Sequence, residues 1–234
     1  HDSPMKIRDD LRAAANPDDA VFLQRYFKTG PGEYGEGDVF IGIRVPVIRK
    51  IAAAHKDLPL DDTLDLLRSP IHEDRMVALM ILVRQMRSKD HEVRRAIYDA
   101  YLANTRYINN WDLVDTSAEY IVGAWLQERS RAPLRRLARS KSLWERRIAV
   151  LSTFHFIKLG EYDEALRIAG MLLGDREDLI HKATGWMLRE IGNRDGDVER
   201  EFLRIHYRSM PRTMLRYAIE KFPEAERKRW MAKD

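Results

Sequence analysis

The run Trp111-Asp112-Leu113-Val114-Asp115 sets an aspartate one helical turn beyond a tryptophan, and of all the spacings in this chain it offers the most chemistry. At about 100° per residue, Trp111, Val114, Asp115, Ala118, Val122 and Trp125 share one helical stripe. Asp115 therefore points where an apolar side chain is expected. An ionised carboxylate is almost never fully buried without a partner, so Asp115 either meets a cation inside the fold or lines a groove in which its charge is used. A fixed carboxylate of the second kind can stabilise developing positive charge, and can orient or deprotonate a water molecule. Asp112 lies about 60° from it around the same helix and is read as outward or hydrogen-bonded.

Two later segments also turn polar groups inward. Between Lys141 and Leu159, the residues Leu143, Val150, Leu151, Phe154 and Ile157 form a stripe that contains Arg147. Between Glu177 and Ile191 the stripe is Leu179, Ile180, Ala183, Trp186, Met187 and Ile191, with Lys182 and Arg189 along its edge on either side of Trp186. His72, His155 and His181 are scattered, and no metal or other cofactor is expected.

These residues need helices to position them, and nearly the whole chain reads as helix. Spaced Leu, Ala, Ile, Met, Arg and Glu are broken by short polar turns such as Asn16-Pro17-Asp18, Ser69-Pro70, Ser88-Lys89-Asp90 and Asn193-Arg194-Asp195-Gly196. Helices are expected in pairs: 61–68 with 72–86, 92–102 with 111–127, 132–139 with 142–159, 162–172 with 178–191, and 198–207 with 212–221. A period of about 35 to 45 residues matches helical hairpins of the HEAT type. The expected fold is all-α, a solenoid of antiparallel hairpins with a concave groove lined by second helices. Asp115, Arg147 and Trp186 each fall on such a second helix.

One repeat domain is expected over residues 5–234, with residues 1–4 set aside as a remnant of expression. The stretch Lys28 to Asp38, containing Gly30, Gly32, Gly35 and Gly37, is expected to be a flexible connecting loop, with a lid as the alternative. It lacks a phosphate-binding pattern, and its acidic residues would repel phosphate.

Composition narrows the function classes. The 234 residues include no cysteine, which excludes disulfides and thiolate metal sites and fits a cytoplasmic protein. No segment approaches the ~18 apolar residues of a membrane span. The net charge of +4 is uneven: from Ile121 onward there are 24 basic and 17 acidic residues, a local net of +7. That field suits a polyanionic partner such as nucleic acid.

The blocks Trp111-Asp112-Leu113-Val114-Asp115, Trp144-Glu145-Arg146-Arg147-Ile148-Ala149 and Lys182-Ala183-Thr184-Gly185-Trp186-Met187-Leu188-Arg189-Glu190 resemble, in order, the AlkD-type DNA alkylation repair glycosylases. Arg25-Tyr26-Phe27-Lys28 and Phe40-Ile41-Gly42-Ile43-Arg44-Val45-Pro46, with Arg49, resemble the first block of that family. The resemblance implies a HEAT-like fold and an enzyme that removes 3-methyladenine and 7-methylguanine from duplex DNA; the protein is expected to be a monomer that needs no cofactor. It implies Asp115 as the catalytic aspartate, Trp111 and Trp186 flanking the modified nucleotide, and Arg147 as a groove arginine. Lys182, Arg189, Arg49, Arg44 and Tyr26 are the expected DNA contacts, placed in a bacterial-type cytosol at the nucleoid. The glycine-rich loop is longer than the family's usual connection, which bears on substrate range. The alternative is a non-catalytic HEAT-like module that binds unusual DNA structures or a protein partner.

Overall fold

A computed structural model describes residues 3–232, so the expected boundaries at His1 and Asp234 lie outside the described residues. Among the described residues all regular structure is helical, apart from an isolated parallel bridge between Val39 and Ile71. No described helix is long and apolar enough to cross a membrane. Two compact units divide between Ser117 and Ala118.

The first unit holds α1 (Pro4–Ala14), α2 (Pro17–Tyr26), α3 (Val45–Ala54), α4 (Leu60–Leu67), α5 (His72–Gln85), α6 (His91–Ala103) and α7 (Trp111–Ala118), which ends at the division. Ser3 and Pro4, expected to be a remnant of expression, open α1. The Ser3 hydroxyl accepts the Lys6 backbone N–H at 3.1 Å, and proline in the first turn gives up no needed donor. Asn16 caps α2 in the same way, accepting from the N–H groups of Asp18 and Asp19. The middle of the unit is α5, buried from His72 through Leu82 and packed on α1, α3, α4 and α6. A helix with neighbours on every side needs apolar residues all round, and Met76 to Leu82 supply them.

The second unit holds α8 (Ala132–Ala138), α9 (Leu143–Ser152), α10 (Phe154–Lys158), α11 (Asp163–Met171), α12 (Asp178–Arg194), α13 (Gly196–His206), α14 (Arg212–Ala218) and α15 (Glu224–Met231). Its central helix is α12, which packs on α9, α11, α13 and α14 and buries Ile180, Ala183, Met187, Leu188 and Ile191. Gly185 allows α14 to approach closely. A Cβ there would sit 2.5 Å from the Met214 carbonyl oxygen of α14.

The helices of the expected pairs are present, with two corrections. The helix expected over 111–127 widens after Ala118 into a π turn, Glu119–Gly123. A Cβ at Gly123 would lie 2.4 Å from the Ser152 carbonyl oxygen, so the backbones of the turn and α9 nearly touch. The helix expected over 142–159 is interrupted at Thr153, where the Thr153 hydroxyl bonds the Val150 carbonyl at 2.6 Å and α10 starts afresh.

Candidate active site and nucleic-acid contacts

Four consecutive polar residues at the start of α5, His72-Glu73-Asp74-Arg75, are all buried, and each is held by groups distant in sequence. Glu73 accepts the backbone N–H groups of Ile41, Gly42 and Ile43, the shortest being Gly42 at 2.8 Å. Asp74 takes both terminal nitrogens of Arg12 at 3.0 and 3.1 Å, and the Ser69 hydroxyl at 2.7 Å. Arg75 donates to the carbonyls of Tyr107 and Ser69, to Asn109, and to Asp38 at 2.9 Å. Negative charge at a helix N-terminus is also favoured by the helix dipole.

His72 is the centre of this group. Its Nδ1 lies 2.6 Å from Asp38 Oδ2 and its Nε2 lies 2.8 Å from Asp112 Oδ2. Ionised carboxylates only accept, so both ring nitrogens must donate and the ring is an imidazolium. Burial alone lowers an imidazole pKa, but the charge and hydrogen bond of Asp112, joined by those of Asp38, outweigh it and raise His72 to about 9. Burial pushes Asp38 upward; the hydrogen bond and charge of His72, aided by Arg75, hold it down at about 2. With both nitrogens engaged, His72 has no lone pair to offer a metal.

The consequence is that α7 is fixed at both ends. Asp112 ties its first turn to α5, and Ser117 ties its last turn to α6 through the Tyr101 hydroxyl at 2.8 Å. Asp115 and Trp111 lie between these ties or beside them, both half-buried, whereas Leu113, Val114 and Ala118 are fully buried. Asp115 thus sits at the boundary of the apolar stripe rather than in its middle. Its charge is close enough to Tyr101 to reinforce the upward pKa shift that burial imposes on the phenol. Trp111 stacks on Phe27 with ring centroids 5.1 Å apart, Phe27 stacks on Phe40, and Phe40 stacks on His72 at 4.2 Å. Tyr26, 52% exposed, meets the Trp111 ring edge-on.

The loop between α2 and α3 departs from the flexible connection expected of its glycines. Residues 28–38 do connect helices, but the loop is tied down. Thr29 bonds Gln24, the Gly35 and Gly37 N–H groups return to the carbonyls of Lys28 and Thr29, and Asp38 is buried among His72, Arg75 and Asn110. Rather than repelling a ligand, Asp38 neutralises the protein's own cations.

Arg44 is exposed and pairs with Asp19 at 3.0 Å, while Arg49 is exposed on α3. In the second unit Arg147 is only 5% exposed, and its Nη1 donates to the Leu179 carbonyl at 2.6 Å, joining α9 to α12. Trp186 is half-buried and meets Phe154 edge-on. Its expected cationic neighbours are turned toward carboxylates: Lys182 pairs with Asp178 at 3.1 Å, and Arg189 pairs with Glu220. The structure thus brings Tyr26 to Trp111 in the first unit and Arg147 to α12 in the second.

Asp38, His72 and Arg75 were not singled out as site residues from sequence. The groups His72 joins are 34 and 40 positions away, so no local spacing announces them. Asp112 carried the one usable signal, a second carboxylate on the first turn of α7.

These features define a class first: a helical-hairpin protein with an indole and a carboxylate one turn apart on a helix held at both ends. The model of the family described as DNA alkylation repair enzyme matches residues 7–222, and the chain belongs to this family. A solved structure, a predicted DNA alkylation repair enzyme from Enterococcus faecalis, is 18% identical. The match covers 90% of this chain and 97% of that one with a TM-score of 0.68, a likeness of fold. No curated protein matches the chain.

Proposed function

We propose that the protein is a monofunctional DNA glycosylase that hydrolyses the N-glycosidic bond of purines made cationic by alkylation at N3 or N7, such as 3-methyladenine and 7-methylguanine. The observation that carries this reading is the half-buried Trp111 and Asp115 on one face of a helix clamped by α5 and α6. An alkylated purine is positively charged, so when its bond to C1′ breaks the electron pair leaves with the base, which departs neutral. No general acid is needed, unlike glycoside hydrolysis, where a carboxylic acid protonates the leaving oxygen.

In this mechanism Asp115 faces the oxocarbenium-like sugar, gains Coulomb energy as charge develops at C1′, and accepts a proton from the attacking water. Trp111 and Tyr26 pack against the sugar and cationic base, where an aromatic face contributes ~0.5 to 2 kcal/mol. Arg44 and Arg49 contact phosphates. In the second unit, Trp186 is assigned to nucleotide recognition, the buried Arg147 holds α9 against α12, and Lys182 and Arg189 exchange their carboxylate partners for phosphates. Purified protein should release free methylated base from alkylated duplex DNA without added metal. Duplex binding with release no faster than the spontaneous reaction would instead identify a non-catalytic binding module.

The phosphate contacts carry their own expectation. The logarithm of duplex affinity should fall linearly with the logarithm of salt, by ~0.9 per neutralised phosphate, and Lys182→Ala or Arg189→Ala should each reduce that slope by about one. Titration by fluorescence anisotropy at several salt concentrations measures it. An unchanged slope in both variants would remove these two residues from the interface.

A further inference from the structure

We propose that His72 is a positioning residue for the site: as an imidazolium bridging Asp38 and Asp112, it holds the first turn of α7 so that Trp111 and Asp115 keep their working orientation. The catalytic part of this inference rests on the glycosylase reading; the positional part does not. Three observations support it. His72 reaches α7 directly through Asp112, at 2.8 Å, next in sequence to Trp111. Its ring supports Trp111 a second time, through the stack Phe40 on His72, Phe27 on Phe40 and Trp111 on Phe27. Finally, the network is anchored on its other side, because Asp38 is held by Arg75 at 2.9 Å and Asn110 at 3.2 Å, and Asn110 directly precedes α7.

The groups facing His72 are Asp112 from α7 and Asp38 from the loop before α3, with Arg75 of its own helix on the far oxygen of Asp38. Loss of the imidazolium proton removes one of two donated hydrogen bonds and leaves a carboxylate without its counter-charge. The first turn of α7 then loosens, and a displacement of about 1 Å in a catalytic group is enough to cost about a hundredfold in rate.

The test is a single-turnover pH–rate profile from pH 6 to 10, corrected for spontaneous release, on wild type, His72→Gln and Asp112→Asn. The folded-state pKa is raised, so the wild-type rate should hold at lower pH and fall as pH rises through about 9. His72→Gln should be about ten- to a hundredfold slower at neutral pH with duplex affinity within about threefold, and should lack the alkaline fall. Asp112→Asn keeps a hydrogen-bond acceptor but removes a charge, so its alkaline fall should move to lower pH. A fall at the same pH in Asp112→Asn, or none in a wild type that does release base, overturns the inference. Should His72→Gln not fold, Asp112→Asn still decides.

Nuclear magnetic resonance separates this test from the function reading. The imidazole nitrogens of His72 and the indole N–H of Trp111 should titrate with one midpoint, lowered by Asp112→Asn. A wild type that releases no base at any pH removes the glycosylase reading while these shared midpoints uphold the positioning role. A Trp111 signal indifferent to His72 refutes positioning whether or not base is released.

Discussion

Asp115→Asn should slow base release at least about a hundredfold, with duplex affinity changed less than about threefold and the fold intact. Asparagine preserves the volume and much of the hydrogen bonding of aspartate and removes only the charge. If that charge stabilises the sugar cation, the deficit appears in the single-turnover rate. The competing role is structural. A carboxylate that balances a buried cation leaves it uncompensated when neutralised, and breaking such a pair costs about 3 to 5 kcal/mol. Asp115 is half-buried at the edge of α7, and the turns on either side of it are held by Asp112 and Ser117, so the helix has ties that do not pass through its charge. Thermal unfolding and base release on one preparation separate the outcomes. A variant that loses stability, yet stays fully active per folded molecule, would end the catalytic assignment.

Glu73→Ala should destabilise the first unit by about 3 to 5 kcal/mol, because it strands the backbone donors of Ile41, Gly42 and Ile43. Leaving one buried donor unsatisfied costs about 1 to 3 kcal/mol, and Gly42 and Ile43 are both buried. The segment has no easy alternative path. Gly42 has a φ of 86°, and a Cβ there would meet the Asn16 carbonyl oxygen at 1.9 Å. Glu73→Gln keeps one acceptor oxygen and should lose only about 1 to 2 kcal/mol. Urea unfolding of the three proteins measures both values, and a loss below about 1 kcal/mol in Glu73→Ala would show that the donors find other partners.

The helices themselves were legible in the sequence because their determinants are local. Asn16, Asp90, Ser142 and Asp195 each cap the helix that follows through a donor two or three residues away. Periodicity likewise announced that Arg147 faces inward and that Lys182 and Arg189 flank the buried stripe of α12, since rotation per residue needs no tertiary information. Trp111 and Asp115 could be singled out for the same reason. What occupies the space beside them could not. His72 lies between two carboxylates contributed by a loop and by another helix, and Glu73 collects three backbone donors some thirty residues before it, because packing α5 into the middle of the first unit leaves its polar first turn no water to face. The π turn after Ala118 and the break at Thr153 were equally hidden, since both depend on which backbone comes close to which. Residue type and rotation around a helix axis thus specified the elements and their candidate groups. Burial, which turns an isolated histidine into a charged clamp and a glycine-rich loop into an anchor, was decided only by the tertiary structure, because the cost of desolvating a charge depends on every group that surrounds it.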